Sequence, residues 1–165
     1  MTFEQFAADR LGALLRFATT LTSDRALGED LVQDVLIRAH ARWDRIEQLD
    51  QPYAYVRKML ANEFVSWRRK WARIVPHAEM PDTTAAPDHA GRQADQDAMR
   101  RAIARLPRRQ RAVIVLRYYE DLSDDQIADV LDCTRSNVRG QAMRALRTLR
   151  IRQVGQLAPE PGSRG

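Results

Sequence analysis

Between Arg135 and Arg152 six arginines are spaced among small, amide and apolar side chains. That pattern has the chemistry to read nucleic acid. A guanidinium can donate two parallel hydrogen bonds to the edge of guanine, and an amide such as that of Asn137 can pair bidentately with adenine. At about 100° per residue, Ser136, Asn137, Gly140, Met143, Arg144 and Arg147 fall on one face of a helix, with Arg135 and Arg139 on its shoulders. Val138, Ala142, Ala145, Leu146 and Leu149 recur on the opposite face and would pack inward. Gly140 would let the backbone approach a duplex with no side chain in the way. The plainer alternative is an arginine-rich solvated face on a helical hairpin.

Such a helix must be held by a partner, and the residues before it specify one. Ser123 followed by Gln126 forms a capping box, flanked by Leu122 and Ile127 as a hydrophobic staple. Ile127, Ala128, Val130 and Leu131 give an apolar stripe, Asp132-Cys133-Thr134 interrupts it, and Thr134 would cap the next helix. This is a helix-turn-helix. Readers of that kind use the N-terminal part of the second helix for bases. Arg135, Ser136, Asn137, Arg139 and Gly140 are therefore base or near-base candidates, and Arg144 and Arg147 suit phosphate. Upstream, Met99, Ala102, Ile103 and Leu106 precede a break at Pro107, after which Ala112, Val113, Val115, Leu116 and Tyr119 resume the period. Arg108, Arg109 and Arg111 stand at the start of that helix, where backbone amides already favour phosphate.

The chain has 165 residues, 44% of them hydrophobic, enough for one medium domain or two small ones. Helix formers dominate and period-two alternation is scarce, so an all-α fold is expected. The net charge of +5 conceals alternating blocks. The balance is −3 over 1–50, +5 over 51–75, −4 over 76–99, +7 over 100–118, −6 over 119–134 and +6 over 135–152. Separate basic zones imply at least two contacts with a polyanion. Cys133 is the only cysteine, which excludes an internal disulfide; a small packing role suits it better than a redox one. His40, His77 and His89 are scattered, and no metal-ligand spacing, phosphate-binding glycine loop or nucleophile motif is present. An enzyme, a metal and a cofactor are therefore not expected. No apolar run approaches the roughly 20 residues of a membrane span, and Glu4, Asp9, Arg10 and Arg16 oppose a signal peptide, so a cytoplasmic protein without membrane insertion is expected.

Residues 76–95 contain three prolines and no Leu, Ile, Val, Phe, Trp or Tyr, and so cannot build a core. They are expected to be a flexible linker between two small helical domains, 1–75 and 96–152, with a disordered tail over 153–165. In the first domain, apolar residues from Phe3 to Leu21 predict a helix ending near Thr22 or Ser23. A second helix starts around Arg25, with Leu27, Leu31, Val35, Ala39 and Trp43 facing a core and Asp30, Gln33, Ile37 and Ala41 on the other side. Ile37 is apolar where its neighbours are polar; it marks either a docking surface or a harmless surface isoleucine. Pro52 begins a third helix running to about Arg73. There, Trp67-Arg68-Arg69-Lys70-Trp71-Ala72-Arg73 interleaves aromatics with cations. The tryptophans can pack in the core or stack on unpaired bases, and the cations suit phosphate.

Two blocks taken together resemble the sigma factors of bacterial RNA polymerase, in the small extracytoplasmic-function (ECF) group and its actinobacterial sigma-E-like branch. They are Gly28-Glu29-Asp30-Leu31-Val32-Gln33-Asp34-Val35 followed by Trp43, and Leu106-Pro107-Arg108-Arg109-Gln110-Arg111-Ala112-Val113 running into Leu116-Arg117-Tyr118-Tyr119-Glu120-Asp121-Leu122-Ser123. The resemblance spans residues 1–152. It implies a region 2 bundle and a region 4 helix-turn-helix, and as partners core RNA polymerase, through the β′ clamp helices and β flap, and promoter DNA. Asp30, Gln33, Asp34, Ile37 and Arg38 resemble the surface that grips the clamp helices. Asn62, Glu63, Ser66, Trp67, Arg68, Arg69 and Lys70 resemble the segment that opens and reads the −10 element. Arg108 and the segment from Arg135 to Arg147 resemble the −35 reader. The chain departs from many ECF factors at Ser66, where an acidic residue is common, and at Gly140, where a polar residue is common. An anti-sigma partner is usual for the family, and such a factor is nucleoid-associated when bound to polymerase. The alternative is a stand-alone helix-turn-helix repressor or activator with a separate sensing or dimerising domain.

Overall fold

The computed structural model of the protein describes residues 1–66 and 92–157; among these it has eight helices and no strand. The chain divides into two units, Met1–Ala98 and Met99–Gly165. Among the described residues, no helix is long and apolar enough to cross a membrane.

The first unit is built on α1 (Phe3–Thr22), α2 (Arg25–His40), α3 (Trp43–Ile46) and α4 (Pro52–Ser66), with α1, α2 and α4 packed against one another. Thr2 caps α1, accepting from Gln5 N while Gln5 Oε1 accepts from Thr2 N, a second capping box written in the sequence as T-x-x-Q. Ser23 closes the helix in the left-handed conformation, and Asp24 opens α2 by accepting from Leu27 N at 3.0 Å. The core gathers Phe6, Leu14, Phe17 and Leu21 of α1, Leu31, Val32 and Val35 of α2, and Val56, Leu60 and Phe64 of α4. At the α1–α2 crossing, a Cβ on Gly28 would lie 2.9 Å from Thr19 N, so only glycine allows this approach.

The second helix is shorter than its period indicated. It stops at His40, and Trp43 begins the separate α3. The apolar stripe ends at Ala39 and the next three residues are exposed; the chain tightens through an Arg42 N to Ala39 O bond. The indole then reaches the helix start, donating to the Met1 carbonyl at 3.1 Å and meeting Phe3 and Phe6 at ring distances of 5.5 and 4.8 Å.

Four helices make up the C-terminal part: α5 (Arg92–Ala104), α6 (Arg108–Tyr118), α7 (Asp124–Leu131) and α8 (Arg135–Leu157). Because α5 starts at Arg92, the end of the expected linker is helical, as its Arg, Gln and Ala and the acidic Asp95 in the first turn favour. The expected disordered tail is likewise shortened. Residues 153–157 continue α8, since nothing in the sequence forbids a helix before Pro159. The rest of both segments lies outside the described residues. Tyr119, expected in the core, is 47% exposed, and Tyr118 is exposed beside it. They stand where α6 ends and Asp121, at φ 52°, turns the chain so that Leu122 N bonds Leu116 O.

Gly28→Ala is expected to lower stability by about 1–3 kcal/mol, whereas Gly140→Ala, whose Cβ would meet nothing within 4 Å, is expected to raise it by about 0.5–1 kcal/mol. Denaturant unfolding followed by circular dichroism measures both.

Candidate nucleic-acid interface

The helix-turn-helix forms as its capping residues dictate. Ser123 Oγ accepts from Gln126 N at 3.2 Å, and Gln126 Oε1 accepts from Ser123 N at 2.9 Å. Asp132 closes α7 in the left-handed conformation, Cys133 N bonds Ala128 O, and Thr134 Oγ1 caps α8 by accepting from Asn137 N at 3.1 Å. Val138, Ala142, Ala145 and Leu149 are buried, while Leu146, expected with them, is only half-buried at the edge of the packed face.

On the outward side, Arg135, Ser136, Asn137, Arg139, Arg144 and Arg147 are all exposed, Met143 is 64% exposed, and the position of the absent Gly140 side chain is open space. One helix therefore brings eight of the nine residues expected to contact −35 DNA onto one surface. The ninth, Arg108, is half-buried in the first turn of α6. Arg111 corrects the expectation that the arginines opening α6 all suit phosphate. It turns inward and donates to the carbonyls of Ala104 and Leu106, closing the end of α5. Burial, and next the charge of Arg108, push its pKa down to about 10.

The arginines on the outward face of α8 are not isolated cations. Asp124 at the start of α7 binds Arg117 of α6 through Oδ1 and approaches Arg139 Nε through Oδ2 at 3.6 Å. Asp125 lies 3.7 Å from Arg135 Nε. The hydrogen bond from Arg117 holds the Asp124 carboxyl below the usual carboxylate range. Burial is the largest single influence on Arg117 and lowers its pKa, but the hydrogen bonds and charges of Asp124 and Tyr118 together outweigh it and the net shift is upward. The acidic character of residues 119–134 was plain in the sequence; that two of its members face the arginines of α8 needed the turn geometry.

In the first unit, Asp30, Gln33, Ile37 and Arg38 are exposed on α2 and Asp34 is half-buried; Ile37 is 66% exposed. Beside them a shallow cleft between α1 and α2 is lined by Leu11, Leu15, Val32 and Leu36, with Glu29 and Asp30 at its edge. In the sequence Leu11 and Leu15 count only among the apolar residues that predict α1, although α1 carries more apolar positions than one packed face can cover. Arg38 pairs with Glu63 of α4 at 2.8 Å, which fixes one polar residue of the α2 face to the helix behind it. On the same helix, the Asn62 amide donates to Lys58 O at 2.9 Å and the exposed Ser66 hydroxyl donates to Glu63 O at 3.1 Å. Trp67, Arg68, Arg69, Lys70 and Trp71 lie outside the described residues.

This chain matches the Sigma-70 region 2 family over residues 7–74 and the Sigma-70 region 4 family over residues 96–149. It is 32% identical over 151 residues to the RNA polymerase sigma-E factor of Streptomyces avermitilis, covering 91% of this chain and 84% of that one. The chain belongs to the sigma-70 family of RNA polymerase sigma factors, in its ECF group. The ECF RNA polymerase sigma factor SigL of Mycobacterium tuberculosis is 30% identical to this sigma factor over 148 residues, covering 87% of this chain and 84% of SigL. Among solved structures, the sigma factor RpoE of Bartonella quintana, crystallised with the anti-sigma factor NepR, is similar at a TM-score of 0.66 and 29% identity, covering 89% of this chain and 93% of RpoE.

Because its folded-state pKa is lowered, Asp124 contributes stability that is fully present above the unfolded value of 3.8 and is lost as pH falls through the folded value. The melting temperature of the native chain is therefore expected to fall more between about pH 6 and pH 3 than that of Asp124→Asn. Differential scanning calorimetry at the two pH values makes the comparison.

Proposed function

We propose that this sigma factor works as a two-point clamp, with residues 1–75 holding core RNA polymerase and the −10 strand and residues 96–152 holding the −35 duplex. The observation that carries this reading is the outward face of α8. In a capped helix-turn-helix it presents Arg135, Ser136, Asn137 and Arg139 at its N-terminal end, where base readers sit, and Arg144 and Arg147 farther along, where phosphate is met. In the first unit, the exposed Ile37 among Asp30, Gln33, Asp34 and Arg38 supports docking to the β′ clamp helices, since a large apolar side chain ringed by polar groups is what an interface covers. The β flap is the partner proposed for the second unit.

Asn62, Ser66, Trp67, Arg68, Arg69 and Lys70 are proposed to meet the −10 element. There the protein would open DNA through binding energy that favours an extruded base and a single strand over the duplex. Its contribution is positional, with no chemical step of its own. Each half alone binds weakly, and tethering raises the effective concentration of the second contact. The proposed place of action is the cytoplasm, on the nucleoid when bound to polymerase. An anti-sigma factor that covers these faces would switch the protein off. A stand-alone repressor or activator is disfavoured, because it leaves the region 2 match over residues 7–74 without a role.

Run-off transcription with purified core polymerase and a promoter library is expected to show initiation that depends on this chain; binding to duplex DNA with no initiation and no association with core would refute it. Ile37→Asp is expected to weaken core binding about tenfold or more and to leave the duplex contacts of α8 intact. Arg139→Ala is expected to do the converse, with a loss of roughly 1–3 kcal/mol in duplex binding. Equal losses in both assays for either variant would contradict the division of labour.

A further inference from the structure

Asp124 uses its two carboxylate oxygens separately. Oδ1 accepts from Arg117 Nη2 of α6, and Oδ2 faces Arg139 Nε of α8 at 3.6 Å. One side chain at the first position of α7 thus connects three helices. The two ends of this bridge differ: the Arg117 and Asp124 side chains are mostly shielded from solvent, whereas the Arg139 side chain is largely open to it. Arg117 therefore acts as the anchor, and Arg139 is the exposed end that Asp124 restrains.

A restrained arginine has a different use from a loose one. With Nε turned toward a carboxylate, the guanidinium retains its terminal nitrogens as a two-donor edge, the part that matches the O6 and N7 acceptors of guanine. A loose arginine on the same surface would be drawn to any phosphate within reach, which adds affinity without sequence information. The adjacent carboxylate also offsets part of that indiscriminate attraction. The Asp124 carboxyl is ionised at neutral pH as any aspartate is, and the hydrogen bond from Arg117 lowers its pKa further. The neighbouring pair of Asp125 with Arg135, at 3.7 Å, is more exposed on its acidic side and, among the described residues, shows no second cation as anchor; water competes with it freely.

We propose that Asp124 is a specificity-determining positioning residue: anchored by Arg117, it holds Arg139 in the orientation that meets a base edge instead of an arbitrary phosphate. This rests on α8 being the duplex-reading helix.

The test uses holoenzyme assembled from the full chain and core RNA polymerase, challenged with a pool of duplexes randomised through the upstream contact region, with the bound fraction sequenced. Arg139→Ala first marks the base position that Arg139 reads. Asp124→Asn keeps the size of the side chain and removes its charge. It is expected to lower enrichment at that same position roughly tenfold and to leave the other positions unchanged. It should also steepen the salt dependence of total duplex binding, since an arginine is released toward phosphate. Arg117→Gln removes the anchor and leaves both partners in place; it is expected to reproduce the loss, and it carries the test if Asp124→Asn does not fold. Asp125→Asn is expected to change neither reading. Unchanged base preference in folded Asp124→Asn and Arg117→Gln, with only a lower melting temperature, would overturn the positioning role and leave Asp124 as a tie between helices. The same selective loss in Asp125→Asn would also overturn it. If Arg139→Ala alters no position, the assignment of α8 as the reader fails, and this inference fails with it.

Discussion

Five consecutive residues of α6, Ala112 to Leu116, are buried, and five residues exceed a full helical turn. Over that length α6 has no face left for water, so it can exist only when covered on several sides. Both α7 and α8 pack against it and supply that cover. At eight residues α7 is too short to persist alone in water. It survives because Ser123 and Gln126 satisfy its first amides and because Ile127, Val130 and Leu131 enter the core that α6 creates. Helix α8 can expose an arginine-rich face for the same reason, since Val138, Ala142, Ala145 and Leu149 already bury the opposite one. Each buried valine, leucine or isoleucine contributes about 1.5–3 kcal/mol relative to exposure, far more than an exposed ion pair, typically below about 1 kcal/mol. Apolar burial thus builds the helix-turn-helix, and charged side chains are left to make up its outward face.

Charge nevertheless organises the surface. The segment 119–134 carries −6 between neighbours of +7 and +6, and the turn that joins α7 to α8 folds part of that acid back onto the base. Asp124 and Asp125 approach Arg139 and Arg135, and Arg117 secures Asp124 from behind. Arg111 leaves the basic surface altogether to close the end of α5. The field presented to a polyanion is therefore set by which cations the fold leaves outward, and a count of arginines overstates it.

The first unit solves a different problem. Its core closes around Phe6, Trp43, Leu31 and Leu60, yet Ile37 and Leu11 remain outside it. Their exposure lowers the stability of the isolated unit relative to what burial would give, and it provides an apolar surface that a partner can cover. Arg38 and Glu63 link α2 to α4 across this unit, so the helix proposed to hold polymerase and the helix proposed to meet the −10 strand share an ion pair.

Much of this was written in the sequence. The starts of α7 and α8 were legible in Ser123, Gln126 and Thr134, because a cap is a local contact between residues three apart. The period of hydrophobic residues located α1 and α2 and the inward face of α8, and the exposed face of α8 followed by subtraction. The boundaries were less legible. The break before Trp43 depends on what the indole reaches forty-two residues away at Met1, and the length of α8 depends on where helix formation stops, which no single residue before Pro159 dictates. The sequence by itself determined an all-α chain and which residues of α8 lie on its outward face, because these rest on local periodicity and composition, and its two family regions, because particular residue blocks carry them. Only the tertiary structure decided that Arg111 turns inward, that Tyr119 stays out, that Gly28 admits Thr19, and that Asp124 stands between Arg117 and Arg139. Each of those depends on the packing of separate helices, which fixes distances that spacing along the chain leaves open.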